Sequence, residues 1–342
     1  MAAFSCIDAQ SGDNMKFSFI RRAVIVGWNL LLAAVAATAQ PSQAFPSKPI
    51  KIIVPIAAGG ATDAQARAMA DLLSKRLNNP VVVENRPGGN FVIGSVAVAS
   101  APPDGYTIGW ALSAAMSLNP LLYKTLPYKP GDFQFLAPVS KGHHVIALPA
   151  SAKPNTLAEW IAEVKGSGKP AAIVVSSVGG TTHLMAEDLG ERAGFSVEPV
   201  LYKGQGQAVL DLISGRVPAM AGVVASVLDL YKTGKVKILA ISSETRIPEL
   251  PEVPTFRESG YDLVATYWNG VVAPAGTPTP IVDKLSGQIR EVVASPEYQA
   301  RISSVPDMHI IVGPPQLLGA MIREDAAFWS RIIRSRNIQI EQ

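Results

Sequence analysis

The chain has 342 residues, of which 48% are hydrophobic and 17% are charged, and its formal net charge is +3. This length and composition indicate a globular protein of about two domains and exclude an intrinsically disordered chain. The near-neutral charge provides no basic surface for nucleic acid, so we predict no nucleic-acid partner.

The first 44 residues have the order of a secretory signal peptide. Lys16, Arg21 and Arg22 form a basic stretch, and an apolar run from Ala23 to Ala37 follows it. Small residues then lead to Ala44, where we place the cleavage site. The apolar run is shorter than the ~20 residues that a membrane-spanning helix needs. We therefore predict export to the periplasm and removal of residues 1–44.

Details of export stay open at this point. Cleavage after Ala39 also fits the pattern, and paired Arg21 and Arg22 also fit a twin-arginine signal. Met15 fits a start of translation better than Met1 does, which would make residues 1–14 an extension. The single cysteine lies in the leader, so we predict a mature chain without disulfides or cysteine metal sites.

From Lys48 onward, apolar strands alternate with glycine turns and amphipathic helices. The predicted strands are Ile50–Ile56, Val81–Val83, Tyr106–Ala111, Ala171–Ser176, Val197–Leu201, Ala219–Val224 and Lys237–Ile241. Six helices are predicted. One begins at Thr62, one ends near Gly194 and one ends near Ser214; the other three are Phe91–Ala99, Pro280–Ala294 and Pro315–Arg334. This alternation predicts an α/β fold with parallel-dominated sheets that are flanked by helices.

Two glycine turns precede helices in similar settings. The Gly59–Gly60 turn follows the first strand, and Thr62 with Gln65 three residues later has the spacing of a capping box. The Gly179–Gly180 turn precedes a helix that a threonine at 181–182 is predicted to cap.

Four stretches of the chain occur in the order and spacing of one known family. They are Pro49–Pro55 with Gly59–Asp63; Val83–Gly89 with Pro103–Thr107; Thr182–Leu184 with Tyr202–Gly204 and Asp211–Leu212; and Pro251–Thr255 with Trp268–Gly270 and Ala273–Pro278. From Phe45 to its end, the chain resembles the tripartite tricarboxylate transporter receptor family, the Bug or TctC-like extracytoplasmic solute receptors.

The resemblance implies a two-lobed, type II-like periplasmic-binding fold with a ligand cleft at the hinge. It also implies that backbone amides and ordered water at the first strand–helix loop hold a carboxylate, which is delivered to a membrane permease. Helix N-termini favour anions, and glycines allow close approach of the backbone. With the extended segments His144–Pro149 and Tyr267–Pro274 as crossings, we predict lobe 1 as 45–145 plus 267–342 and lobe 2 as 146–266.

We predict a ligand-binding site formed by the two glycine turns and the loops beside them. Its residues are Ala57, Ala58, Gly59, Gly60, Ala61, Thr62, Asp63, Asn85, Gly89, Asn90, Phe91, Ser113, Ser176, Gly179, Gly180, Thr181, Thr182 and Lys203. Three side chains have alternative roles. Asp63 either stabilises its own helix start or accepts a hydrogen bond from the ligand. Arg86 either pairs with Glu84 or contacts a carboxylate, and Lys203 either recognises the ligand or is an ordinary surface lysine.

We predict a monomeric binding protein without catalytic residues, cofactor or metal. The segment Ser176–Gly179 lacks the first glycine of a nucleophile elbow. The histidines at 143, 144, 183 and 309 match no local metal-ligand spacing. The expected partners are a small organic acid and permease subunits. A receptor that presents its bound acid to a membrane signalling protein is the alternative.

Overall fold

Ten strands of the described residues form one mixed sheet with helices packed against it. The computed structural model describes residues 45–202, 205–303 and 305–341, so the predicted leader and Lys203 lie outside the described residues. Residues Lys48–Gln342 form one compact unit. No helix in the described part of the chain has the length and hydropathy needed to cross a membrane.

The strands lie close to their predicted positions. They are β1 (Ile50–Val54), β2 (Val81–Asn85), β3 (Thr107–Leu112), β4 (Phe133–Pro149), β5 (Ala171–Val175), β6 (Val197–Leu201), β7 (Ala219–Val223), β8 (Val236–Ile241), β9 (Thr266–Pro274) and β10 (His309–Ile310). β10 and the part of β4 before His144 were not predicted.

The helices include several that the sequence pattern did not indicate. They are α1 (Ala61–Leu77), α2 (Val92–Ala99), α3 (Asn119–Leu122), α4 (Leu157–Ser167), α5 (Thr181–Ala193), α6 (Gln205–Ile213), α7 (Val224–Lys232), α8 (Thr279–Ala294), α9 (Pro296–Ile302) and α10 (Pro315–Ser335). A π-helical turn, Ala114–Leu118, precedes α3, and a 3-10 turn, Pro130–Asp132, precedes β4. Helices α3, α4, α7 and α9 were not predicted.

Parallel pairing occupies the two ends of the sheet, and antiparallel pairing its centre. The strand order is β2-β1-β3-β9-β4-β7-β5-β6, with β8 and β10 also paired to β4. β1 is parallel to β2 and β3, and β5 is parallel to β6 and β7. The long strands β4 and β9 run antiparallel to each other, so the fold is a mixed α/β fold.

The 17-residue strand β4 joins the two ends of the sheet. Up to His143 it pairs with β9, where His143 lies opposite Thr266. From His144 it pairs with β7, and from Val145 with β8. The exchange of partners therefore falls beside Val145, where a crossing between lobes is predicted.

The capping box predicted for α1 is wrong. The helix begins at Ala61 with Gly60 as its N-cap, and no side chain bonds there. Gln65 is buried, and its Oε1 accepts a hydrogen bond of 2.8 Å from Ser140 Oγ. A glutamine directed into the core cannot reach back to the helix start, so Thr62 has no partner for a box.

The cap predicted for α5 is also wrong. The helix begins at Thr181, and its N-cap is Gly180, again without a side-chain bond. Thr182 Oγ1 instead accepts a hydrogen bond of 3.1 Å from the Ser176 amide. The threonine therefore supports the preceding strand end rather than its own helix.

Helix α2 approaches the end of β1 closely because Gly94 has no side chain. A Cβ atom at Gly94 would lie 2.6 Å from Pro55 Cβ and 2.9 Å from the carbonyl oxygen of Arg86. Pro55 leads into the first glycine turn, and Arg86 begins the loop after β2. The glycine thus sets how closely these two segments can lie.

We expect Gly94→Ala to lower the free energy of unfolding by about 1–3 kcal/mol, the usual cost of overpacking. The matched control is Gly287→Ala in α8, where an added Cβ meets no atom within 4 Å. Alanine should stabilise that helix by up to about 1 kcal/mol. Urea unfolding followed by circular dichroism measures both variants. Equal stability of Gly94→Ala and wild type would contradict the close contact.

Candidate functional site

Asp63 holds the first glycine turn, which joins β1 to α1. Its Oδ2 accepts hydrogen bonds from the Gly59 amide and from Arg67 Nε, both at 2.9 Å. Its Oδ1 accepts a bond of 2.9 Å from Asn85 Nδ2, which also donates to the Ile56 carbonyl at 3.1 Å. One carboxylate thus connects the turn, the helix and the end of β2.

The charge of Asp63 is compensated inside the protein. Burial by itself raises the pKa of this carboxyl. Hydrogen bonds from Arg67, Gly59 and Asn85 outweigh burial and hold the pKa below the usual value of 3.8. Asp63 is therefore ionised at neutral pH beside a guanidinium, and the pair carries no net charge. These contacts favour the structural alternative for Asp63 over ligand recognition.

The turn leaves the first amides of α1 without partners. Gly59 has a φ of +94°, a conformation that suits glycine, and Gly60 is extended. The first helical bond runs from the Ala64 amide to the Gly60 carbonyl at 3.0 Å. The N–H groups of residues 61–63 have no intrahelical acceptor, and within the described chain no side chain caps them. Residues 57–60 of the turn are exposed, Ala61 and Thr62 are half-buried, and Asp63 is buried.

The second glycine turn repeats the first with a different acceptor. Gly179 has a φ of +73°, and Gly180 is the extended N-cap of α5. The Gly179 amide donates to His183 Nδ1 at 2.9 Å, four residues along the chain, as in the first turn. The first helical bond runs from the Leu184 amide to Gly180. The N–H groups of residues 181–183 therefore have no intrahelical acceptor either.

The second turn is covered, whereas the first is open. Gly179 and the three residues that follow it are buried, although Ser176 is exposed. A Cβ atom at Gly179 would lie 2.5 Å from Leu122 Cδ1 and 3.2 Å from Ile340 Cδ1. Ser176 Oγ and Thr182 Oγ1 share a hydrogen bond of 2.9 Å. Glycine is thus required at 179 both by conformation and by packing.

A set of contacts connects the loop after β2 with both turns. Asn85 bonds to the first turn through Asp63. Further along the loop, the Asn90 carbonyl and Nδ2 bond to the Asn119 side chain at 2.8 and 3.0 Å. Asn119 begins α3, and Leu122 at the end of that helix lies against Gly179. The described residues show no direct hydrogen bond between the two turns.

The remaining predicted residues have mixed surroundings. Gly89 is exposed at a φ of +56°. Phe91, the N-cap of α2, has a φ of +73° and packs against an apolar cluster that includes Leu118 and Leu184. Ser113 is buried at the start of the π-helical turn.

Arg67 and Asn119 bond to predicted site residues but were not themselves predicted as part of the site. Arg67 bonds to both Asp63 and Asn85, and its spacing of four residues from Asp63 was a usable signal. Asn119 bonds to Asn90 across 29 residues, and no local pattern indicates that pairing. Arg86 Nε donates to Glu84 Oε1, so the surface-pair alternative for Arg86 is the one observed.

A groove of about 400 Å³ lies elsewhere, between β9 and α10, and no predicted site residue lines it. Its walls include Trp268, Leu317, Phe328 and Trp329. Asp325 accepts hydrogen bonds from the indole N–H groups of Trp329 at 2.8 Å and Trp268 at 3.2 Å. Burial raises the pKa of Asp325 to about 6 despite these bonds. Trp268 is thus a buried residue whose indole N–H is bonded to Asp325.

Known proteins resemble this chain over nearly its whole length. Residues 65–338 match the family described as the tripartite tricarboxylate transporter family receptor. BugT of Bordetella pertussis is 32% identical over 326 residues, which is 94% of this chain and 99% of BugT. The solved structure of the periplasmic binding protein BugD has a TM-score of 0.78 at 31% identity, covering 87% of this chain and 100% of BugD.

Two similar solved structures contain an organic acid. Rpa4515 of R. palustris with adipate has a TM-score of 0.79 at 27% identity, covering 86% of this chain and 99% of Rpa4515. MatC from Rhodopseudomonas palustris with bound malate has a TM-score of 0.76 at 26% identity, covering 84% of this chain and 100% of MatC.

We expect Asp63→Asn to destabilise the fold at pH 7 by about 1–3 kcal/mol, because the Gly59 amide and the Arg67 guanidinium lose a charged acceptor. The lowered pKa of Asp63 means that its contribution is complete above the usual value of 3.8. That contribution is lost as the pH falls below 3.8 through the lower folded-state value. The stability difference between wild type and variant should therefore shrink below that pH.

Urea titrations at a series of pH values measure this difference. The control is Asp262→Asn, which removes an exposed ion pair with Arg257 and should change stability by less than about 1 kcal/mol. A difference between wild type and Asp63→Asn that stays constant down to pH 3 would contradict the role assigned to the carboxylate.

Proposed function

The chain belongs to the tripartite tricarboxylate transporter receptor family, and from this membership we propose that it is a periplasmic receptor for a small organic acid. The family resemblance and the periplasmic-binding fold predicted from the sequence are confirmed. Relatives are binding receptors rather than enzymes. In our proposal the receptor releases its acid to permease subunits in the membrane and works as a monomer.

The repeated glycine turn is the observation that carries this proposal. α1 and α5 both begin with amides that the described chain leaves without intrahelical acceptors, at the carboxyl ends of β1 and β5. Ligands of α/β sheets bind at such ends, and helix N-termini attract anions. Each hydrogen bond to a charged group contributes about 1.5–3 kcal/mol. An acid with two anionic ends, such as the adipate and malate of the relatives, offers a group to each turn.

The electrostatics of the first turn support an acid rather than an amine. Asp63 is the acidic residue in the first turn of α1, and Arg67 neutralises it. Both of its oxygens already accept hydrogen bonds from the protein. An approaching carboxylate therefore meets free N–H groups and a helix dipole without an uncompensated negative charge.

We further propose that the acid binds between two lobes, 45–145 with 267–342 and 146–266. The exchange of strand partners on β4 between His143 and His144 supports this boundary. The first turn belongs to lobe 1 and the second to lobe 2, so one ligand that bonds to both favours closure. Export by residues 1–44 completes the proposal and agrees with the periplasmic location of the family.

A thermal-shift screen should identify the ligand class. Adipate, malate, benzoate, aspartate and glucose serve as probes on protein purified after expression of the full chain. An acid present at a hundred times its Kd adds about 2.7 kcal/mol to the stability of the native state and raises the midpoint. A shift with glucose alone would contradict an acid receptor.

We expect Gly60→Val to weaken binding of the acid by about 10- to 100-fold, the loss of roughly one charged hydrogen bond. Gly60 has an ordinary φ of −88°, and a Cβ there meets no atom within 4 Å, so the side chain projects in front of the free amides. Gly59 and Gly180 are poorer test positions. The first needs a left-handed φ, and a Cβ at the second would lie 2.4 Å from Ser177 Oγ.

Calorimetry with the acid found by the screen measures the change in Kd. The matched control is Gly131→Val, at another exposed glycine where a Cβ meets no atom within 4 Å. It should bind as wild type does. Equal affinity of Gly60→Val and Gly131→Val would place the acid away from the first turn.

A further inference from the structure

Two histidines and one aspartate lie together on the face of the central strands. His143 Nδ1 and His309 Nε2 are 2.8 and 2.9 Å from the same oxygen, Asp307 Oδ1. The three ligand atoms all lie within 4.8 Å of one another. Two imidazole nitrogens and one carboxylate oxygen form a ligand set that zinc takes in proteins. We propose that these residues bind a divalent transition-metal ion, for which zinc is the best fit.

The fold positions this cluster through strand pairing. β10 runs antiparallel to β4, with His309 opposite Lys141. Side chains of paired residues share a face, and residues two apart on a strand do too. His143 and His309 therefore project from the same face. The His143 amide donates to Asp307 Oδ2 at 2.6 Å, so the backbone of β4 also fixes the carboxylate.

The distances are compatible with a metal after a small adjustment. Ligand atoms about 2.0–2.2 Å from a tetrahedral zinc ion lie about 3.3 Å apart. The observed separations of 2.8 and 2.9 Å need to open by roughly half an ångström. The cluster is anchored on one side and free on the other, because the Asp307 side chain is 0% exposed and that of His309 is 41% exposed. An ion approaches past His309, and three protein ligands leave a fourth position for water.

Without a metal, the same atoms form a hydrogen-bonded triad. Each neutral ring then carries its proton on the nitrogen that faces Asp307. Metal binding moves each proton to the other nitrogen of its ring, so neither ring changes charge.

The cluster lies where β4 changes its partners. His143 is the last residue paired with β9, and His144 is the first paired with β7. A bound ion would attach the segment around Asp307 to this point of the strand. Lys141 lies opposite His309 in the strand pairing, and its exposed side chain provides a control position.

The test titrates untagged, chelator-treated protein, expressed from the full chain, with Co²⁺ and then with Zn²⁺. We expect one saturable Co²⁺ site per chain, with the visible absorption of four-coordinate cobalt, and its displacement by Zn²⁺. His309→Gln removes a half-exposed ligand without disturbing the core. It should weaken zinc binding by more than about 100-fold. Loss of a residue that only hydrogen-bonds to a metal ligand costs at most about that much, so a larger loss indicates a direct ligand. Asp307→Asn should have the same effect.

Two control variants separate this site from surface binding and from the acid site. Lys141→Gln, on the same face, should retain or tighten zinc binding because it removes a positive charge. Gly60→Val should bind zinc as wild type does, whatever its effect on the acid. The absence of a saturable Co²⁺ site would overturn the proposal. Equal zinc affinity in wild type, His309→Gln and Asp307→Asn would overturn it as well.

Discussion

In both glycine turns, a side chain accepts the amide of the first glycine from four residues along the chain. Asp63 does so for Gly59, and His183 does so for Gly179. This bond holds the glycine in a left-handed conformation that other residues rarely adopt. Because each acceptor bonds to a glycine that precedes the helix, it does not occupy the N–H groups of the first helical turn. The proposed acid site, its proposed preference for an anion and the need for glycine all depend on this one arrangement.

Asp63 and His183 accept the amide of a left-handed glycine with different chemical groups, a carboxylate and an imidazole. Asp63 is charged, and it is compatible with an acidic ligand only because Arg67 lies 2.9 Å away. His183 accepts the Gly179 amide through an unprotonated Nδ1, so its ring proton lies on Nε2. The first turn is open to solvent and the second lies under Leu122. In the proposed receptor, the acid therefore meets the first turn before the second.

The strands, the glycine turns and most helices could be predicted because their signals are local. An apolar β-branched run such as Ile50–Val54 is visible in a short window, and so is a glycine pair before a helix. The capping box of α1 was predicted wrongly because Gln65 bonds to Ser140, which is 75 residues away. The cap of α5 was predicted wrongly because Thr182 bonds to the Ser176 amide before the turn. The His143–Asp307 contact joins residues 164 apart, so a search for local metal-ligand spacings led to the expectation of no metal. Side-chain partners of this kind depend on which strands the fold brings together.

The most direct test of the account is a nuclear magnetic resonance titration of the protein with the acid that the screen identifies. The backbone amides of Ala61 and Thr62 in the first turn, and of Thr181 and Thr182 in the second, report on hydrogen bonding to the ligand. The account predicts that all four resonances shift along one saturation curve with a common Kd. Shifts confined to the indole resonances of Trp268 and Trp329 would place the acid in the groove between β9 and α10. That result would contradict the proposed site.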